Sequence, residues 1–272
     1  MMNAANDKKI FKEAYCPSCG RFIGPREKCP FCGAEIKERI RLKYIKVLAL
    51  VLAIVGVFGI FLFSKMIPVP TVKIADIDAS YNYAPIRVKG YVIEYPDYNE
   101  ESESITFWIM DETGEIMVKA YRDAARELIK QGKIPGVMDY IDCIFEARIT
   151  RGFKYLIIEV PDYLTIYKPE PEQLTITQII ENNITMKKAI VEGVITSVRS
   201  YSSGYGIWIT DGEYELEIWV PISQLSFFSN HTDILDRVAP GMKVIVKGGL
   251  KLYRGSPEIV PDSLLDIQII EE

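Results

Sequence analysis

One uninterrupted apolar run divides the chain, and the apolar rhythm differs on its two sides. The run is residues 47–64, VLALVLAIVGVFGIFLFS, with no charge and a single hydroxyl at its end. At ~1.5 Å rise per residue it makes a helix of roughly 27 Å, close to the ~30 Å hydrocarbon core of a bilayer. A core helix of a soluble protein is rarely apolar on every face over such a length. The run therefore predicts one transmembrane helix over residues 47–66, ended by Pro68 and Pro70. Gly56 and Gly59 are three apart, so the GxxxG pairing motif is absent.

Beyond the run the apolar positions alternate with a period of two, the mark of strands with one buried face. Ile105, Phe107 and Ile109 point one way; Thr106, Trp108 and Met110 point the other. Ile116, Val118 and Ala120 continue the inner face, with Met117 and Lys119 outside. The pattern then repeats at a shift of about 100 residues. Phe107-Trp-Ile-Met-Asp111 matches Ile207-Trp-Ile-Thr-Asp211, and the strands over 115–120 and 215–220 match likewise. Connectors over 122–131 and 222–237 follow, then Pro135-Gly136 and Pro240-Gly241, then hairpin turns at Arg151-Gly152 and Arg254-Gly255. Each repeat reads β-β-β-α-β-β and is preceded by a short apolar segment, 72–77 or 174–180.

Five strands with a helix between the third and fourth is the layout of a partly open Greek-key barrel. On that order, and on the shared pattern G-[YV]-[VI] … W-I-x-D-[EG] … R-G, the region after the run resembles tandem OB-fold domains of the nucleic-acid-binding type found in prokaryotes. The implied barrels span 71–168 and 174–272, with Pro169 and Pro171 in the linker.

Before the run, residues 1–13 form a polar tail, and residues 14–33 carry Cys16-x2-Cys19-x9-Cys29-x2-Cys32. In each C-P-x-C-G knuckle the Pro starts a tight turn and the Gly permits positive φ. Two knuckles offer four thiolates for a closed, structural Zn²⁺ site, and a peptide this small has almost no core without a metal. Disulfides or iron are the competing readings. The pattern resembles the short zinc ribbons at the ends of many prokaryotic membrane proteins, which implies an assembly element. The whole arrangement, zinc ribbon, single span and tandem OB-folds, resembles membrane proteins of an archaeal type.

Charge sets the expected orientation. Residues 1–70 hold 12 Lys and Arg against 5 Asp and Glu, whereas residues 71–272 hold 20 against 32. The basic stretch 34–46, expected as a helix running into the span, places the N-terminus in the cytoplasm. The ribbon then sits among reduced thiols, where it docks a cytoplasmic protein. Residues 71–272 then lie outside the cytoplasm, and sequons at Asn183 and Asn230 fall in that part.

An OB-fold usually binds on the outer face of its second and third strands. In the first repeat this face holds Trp108 and Lys119; in the second it holds Trp208 and Trp219. Exposed tryptophans stack on bases or sugars, or else pack against the sister domain. Residues 94–103 are expected as one framing loop, rich in carboxylates but lacking EF-hand spacing. Residues 199–205, with Arg199 and Tyr201, are expected as the other. Arg151 and Arg254 sit at matching hairpin tips, as binding groups or solvated turn charges.

No nucleophile, Walker or HExxH signature occurs. His231, the one histidine, lies in a polar connector, and Cys143 alternates with Ile141 and Phe145 as a buried thiol. The expectation is a non-catalytic membrane-anchored binding or scaffold protein. Its net negative outer part ranks polysaccharide, peptide or protein ahead of DNA or RNA, since phosphate binding runs on Lys and Arg.

Overall fold

The computed structural model describes residues 15–24, 26, 28–35, 42–64, 68–227 and 233–270. The chain falls into two compact units, Met1–Pro68 and Val69–Glu272. In the first, helix α1 (Leu42–Ser64) contains the apolar run and is long and apolar enough to cross a membrane, with none of its run buried. It begins before the run, within the basic stretch; residues 36–41 lie outside the described residues, as does the tail.

The second unit is mainly β. A 3-10 turn (Ile74–Asp76) leads into β1 (Pro85–Asn99), β2 (Ser104–Asp111), β3 (Gly114–Tyr121), α2 (Arg122–Lys130), β4 (Tyr140–Thr150), β5 (Phe153–Ile157) and β6 (Thr165–Tyr167). Then follow β7 (Glu172–Gln173), α3 (Ile176–Glu181), β8 (Lys187–Tyr201), β9 (Gly204–Thr210), β10 (Glu215–Pro221), α4 (Ser223–Phe227) and α5 (Asp233–Arg237). Strands β11 (Lys243–Tyr253), β12 (Ser256–Pro261) and β13 (Ile267–Ile270) complete it. The first repeat pairs as β1-β2-β3-β5-β4, and β4 returns to β1. The second pairs as β8-β9-β10-β12-β11, and β11 returns to β8. Both are closed five-stranded barrels in which only the third and fifth strands run parallel, which is OB-fold closure.

Alternation fills the cores. Ile105, Phe107, Ile109, Val118 and Ala120 are buried in one barrel, and Ile207, Ile209, Leu216, Ile218 and Val220 in the other. Cys143 joins the first core, and burial pushes its thiol up to about 12.

The repeated Asp of the W-I-x-D pattern fastens each barrel to the segment before it. Asp111 accepts the N–H of Ile74 at 2.9 Å and the N–H groups of Thr113 and Gly114 at 2.7 and 3.1 Å. Asp211 accepts the N–H and hydroxyl of Thr177, each at 2.8 Å, and the N–H groups of Glu213 and Tyr214 at 3.2 and 3.1 Å. One carboxylate thus shapes the hairpin turn and holds the preceding helical turn. Thr177 lies in the first turn of α3, which a Thr175–Gln178 capping box starts.

The expected loops over 94–103 and 199–205 are instead largely strand. β1 and β8 run fifteen residues each and close on β2 and β9 through tight turns. Register shifts after Val92 and Glu94, and after Ile195, bend these strands so that one end pairs with the fourth strand and the other with the second. Carboxylates on an outward strand edge remain solvated, so acidity there does not oblige a loop.

The barrels meet along a packed joint. Tyr95, Val137, Met138 and Val260 form a cluster flanked by Ile93, Trp219 and Phe227. The Tyr95 hydroxyl donates to the Asp262 carbonyl at 2.9 Å, and Ser223 Oγ donates to the Pro96 carbonyl at 2.8 Å. Lys188 of the second barrel is buried between the carboxylates of Asp139 and Asp262. Gly136 is required here, because a Cβ would run into the Asp262 carboxylate.

Candidate ligand face and metal centre

The four cysteines come together. In each knuckle the first Cys N–H donates across the turn, Cys16 to Arg21 at 2.8 Å and Cys29 to Ala34 at 3.0 Å. Gly20 and Gly33 follow the second Cys with φ near +70°, as the C-P-x-C-G pattern requires. Sγ of Cys16 and Cys32 are 3.6 Å apart, as are those of Cys19 and Cys29, and all four lie within 4.8 Å of one another. A tetrahedron of thiolates at ~2.3 Å from a metal has edges of roughly 3.8 Å, so the cluster fits such an ion. N–H groups of Cys19 and Ser18 hold the Cys16 thiol below its usual range. Burial pushes Cys29 up, but the N–H groups of Phe31 and Cys32 reverse this and bring it to about 6. These backbone donors favour the thiolate form that metal ligation needs.

On the second barrel the outer face of β8, β9 and β10 gathers four of the sequence-predicted residues. Trp208 on β9 faces Ser197 and Glu217 across the sheet, and the Arg199 guanidinium lies over its ring at 4.8 Å. Trp219 on β10 packs against Tyr201, ring centres 6.0 Å apart. Two glycines make room. A Cβ on Gly206 would lie 2.6 Å from both Trp208 Cη2 and Glu217 Oε1, and one on Gly204 would lie 2.9 Å from Trp219 Cζ2. The G-Y-G-I-W spacing, with glycine two residues before Trp208, is the sequence signal for a ring that lies over its own strand.

Both tryptophans are half-buried, yet they differ in company. Trp208 touches Arg199 and the sheet. Trp219 also borders the interbarrel cluster, so the packing reading applies to it in part. Between them Glu217 is pushed up by burial, against the pull of Arg199. Its neighbour Glu258 is buried beside Lys251 at 3.3 Å; burial raises it, Lys251 opposes, and Glu217 and Glu94 add to the rise. The face therefore joins aromatic surface and one arginine to carboxylates of weakened acidity.

The other candidates stand apart. Trp108 is half-buried on the first barrel, across from Glu94 and Met117. Lys119 occupies the place of Trp219 there, 5.7 Å above the Tyr155 ring. Arg151 and Arg254 are exposed at left-handed turns with φ of 51°, and Arg254 stacks on its own neighbour Tyr253 at 5.1 Å. His231 and the Asn230 sequon lie outside the described residues; Asn183 is exposed.

No protein-family profile matches the sequence, and no curated protein does. Solved structures do match. The Stn1–Ten1 complex of S. pombe is 14% identical with a TM-score of 0.27, over 31% of this chain and 59% of that one. The OBody AM1L10, bound to hen egg-white lysozyme, is 18% identical with a TM-score of 0.31, over 39% of this chain and all of that one. A replication protein A heterotrimer bound to single-stranded DNA is 15% identical with a TM-score of 0.35, over 74% of this chain and 52% of that one. The chain thus spans between half and three fifths of the first and third of these. At such identities the likeness is one of fold, and the OB-fold assignment itself rests on the strand pairing.

Proposed function

We propose that this chain is a membrane-anchored, non-catalytic binding protein whose second barrel stacks the bases of single-stranded nucleic acid. The observation that carries this is the pairing of Arg199 with Trp208 and of Tyr201 with Trp219 on the outer face of β8–β10. Base–aromatic stacking is sequence-tolerant, and an arginine beside the ring serves the backbone. Helix α1 crosses the membrane with the N-terminus in the cytoplasm, following its basic flank. Zn²⁺ fills the four-cysteine cluster, and the ribbon docks a cytoplasmic protein. The nucleic acid is then met outside the cytoplasm.

A second reading, an uncharged polysaccharide or a peptide on the same face, is favoured by Glu217 and Glu258 beside Trp208 and by the acidic balance of residues 71–272. Labelled oligothymidylate and an uncharged glycan, each titrated against residues 69–272 at 50 and 300 mM salt, separate the two. Oligonucleotide binding that weakens steeply with salt supports the first reading; glycan binding indifferent to salt, with no oligonucleotide binding at 50 mM, replaces it. Protease treatment of intact cells tests the orientation, and complete protection of residues 69–272 would reverse it.

A further inference from the structure

The first barrel carries a further aromatic surface, on β1, β4 and β6. Tyr91 on β1, Tyr140 on β4 and Tyr167 on β6 are direct cross-strand partners across three neighbouring strands. Their ring centres are 5.0 and 6.1 Å apart, and Tyr91 and Tyr167 are 45% and 53% exposed. Inward positions of the same strands fill the core, so pairing does not require tyrosine here; Thr or Lys would serve as well in water. The next rows on this face carry Lys89 and Arg87, both held by the buried Asp142, at 3.1 and 2.6 Å. Lys168 follows Tyr167 and reaches Asp262 at 3.4 Å. A groove of about 590 Å³ runs beside the ladder, lined among others by Lys73, Lys89, Tyr91, Met138, Tyr140 and Met186. Lys73 at its rim pairs with Glu112 at 3.0 Å.

The chain leading into this barrel passes along the same face. Pro70 accepts the Arg87 N–H and Val72 donates back to the Arg87 carbonyl, so Thr71 makes a parallel bridge to Arg87 on β1, the strand that carries Lys89 and Tyr91. Six residues, 65–70, separate Thr71 from Ser64, the end of the apolar helix. Seven Cα steps reach at most roughly 25 Å. Tyrosine is the residue type that settles at headgroup depth, with its ring in the apolar edge and its hydroxyl in water; lysines snorkel beside it. Lys73, Arg87, Lys89 and Lys168 each pair with a carboxylate, so their charge beside the ladder is largely balanced on an outer part that is acidic overall.

We propose that the Tyr91–Tyr140–Tyr167 face docks on the headgroup layer of the membrane that α1 crosses, and so fixes how the ligand face of the second barrel is presented. This rests on the reading of α1 as a membrane span. The test uses the full chain in vesicles of 70% phosphatidylcholine and 30% phosphatidylglycerol. An environment-sensitive fluorescent amino acid replaces Tyr167 or, as control, the exposed Tyr253, and nitroxide-headgroup lipid is the quencher. Quenching at least threefold stronger at 167 than at 253 is expected. Equal quenching in protein that resists carbonate extraction would overturn the inference while leaving the span intact, and would leave the face to a soluble occupant. Extraction by carbonate would remove the span reading and the inference with it.

Discussion

The ammonium of Lys188 lies 3.0 Å from Oδ1 of Asp139, and the two belong to different barrels. Lys188 is at the start of β8 and Asp139 is just before β4, and both side chains are almost wholly out of water. Lys188 also donates to Asp262, whose backbone carbonyl accepts from Tyr95. A charge with such partners cannot be exposed cheaply, so the two barrels behave as one piece. The ligand face, bordered by the joint through Trp219, inherits that rigidity.

Removing one member should therefore cost far more than a surface ion pair. Lys188→Met leaves Asp139 buried and unpaired, which is expected to destabilise residues 69–272 by about 3 kcal/mol or more. Adding Asp139→Leu should recover much of the loss, because Asp262 keeps Lys168. Urea denaturation measures both; a Lys188→Met variant within 1 kcal/mol of wild type would show that the joint bears little of the stability.

The repeated Asp makes a pH-dependent prediction. Burial pushes Asp211 up, but the hydrogen bonds from Thr177, Tyr214 and Glu213 outweigh it and hold the carboxyl at about 2. A carboxyl depressed on folding stabilises fully above its unfolded value, near pH 4, and loses that stabilisation as pH falls toward 2. Asp211→Ala should cost about 1 kcal/mol at pH 7 through the lost hydrogen bonds. The gap between variant and wild type should shrink to about a third by pH 2.5. Denaturation curves at the two pH values decide it, and a gap of the same size at both would assign the effect to packing.

Much of this was legible in the sequence, and the misses have physical causes. Alternation around Phe107 and Ile207 marked the buried faces, and the 100-residue shift exposed the duplication, because each barrel repeats one burial problem. The knuckle spacing marked the cysteine cluster because metal geometry constrains local sequence tightly. Residues 94–99 read as loop because acidic and tyrosine side chains obscure a bulged strand. Lys188 carried no signal at all: a buried lysine is made by partners 49 residues before it and 74 after it, and only the fold brings them together.

Metal removal should act locally. One zinc per chain is expected by elemental analysis of the purified protein, falling below 0.2 in Cys29→Ser. Structure of residues 15–35, followed by amide resonances, should be lost with a strong chelator, while the thermal transition of residues 69–272 stays in place. Iron in place of zinc, visible by its thiolate absorption, would keep the site and change the ion.

The sharpest test of the ligand face is the contrast between its two tryptophans. Trp208 contacts Arg199 and the sheet, so Trp208→Ala should leave stability nearly unchanged and weaken oligonucleotide binding about tenfold or more, in line with ~1–3 kcal/mol per stacked base. Trp219 packs against the interbarrel cluster of Tyr95, Val137, Met138 and Val260, so Trp219→Ala should open a cavity and cost about 2 kcal/mol of stability. Its effect on affinity should be smaller than that of Trp208→Ala once only folded protein is counted. Gly206→Val provides an independent check, since a branched side chain there displaces the Trp208 ring. It should reproduce the binding loss with Trp208 still present. If Trp208→Ala and Gly206→Val both bind as wild type does, the nucleic acid lies elsewhere, and the aromatic pairs of this face serve packing alone.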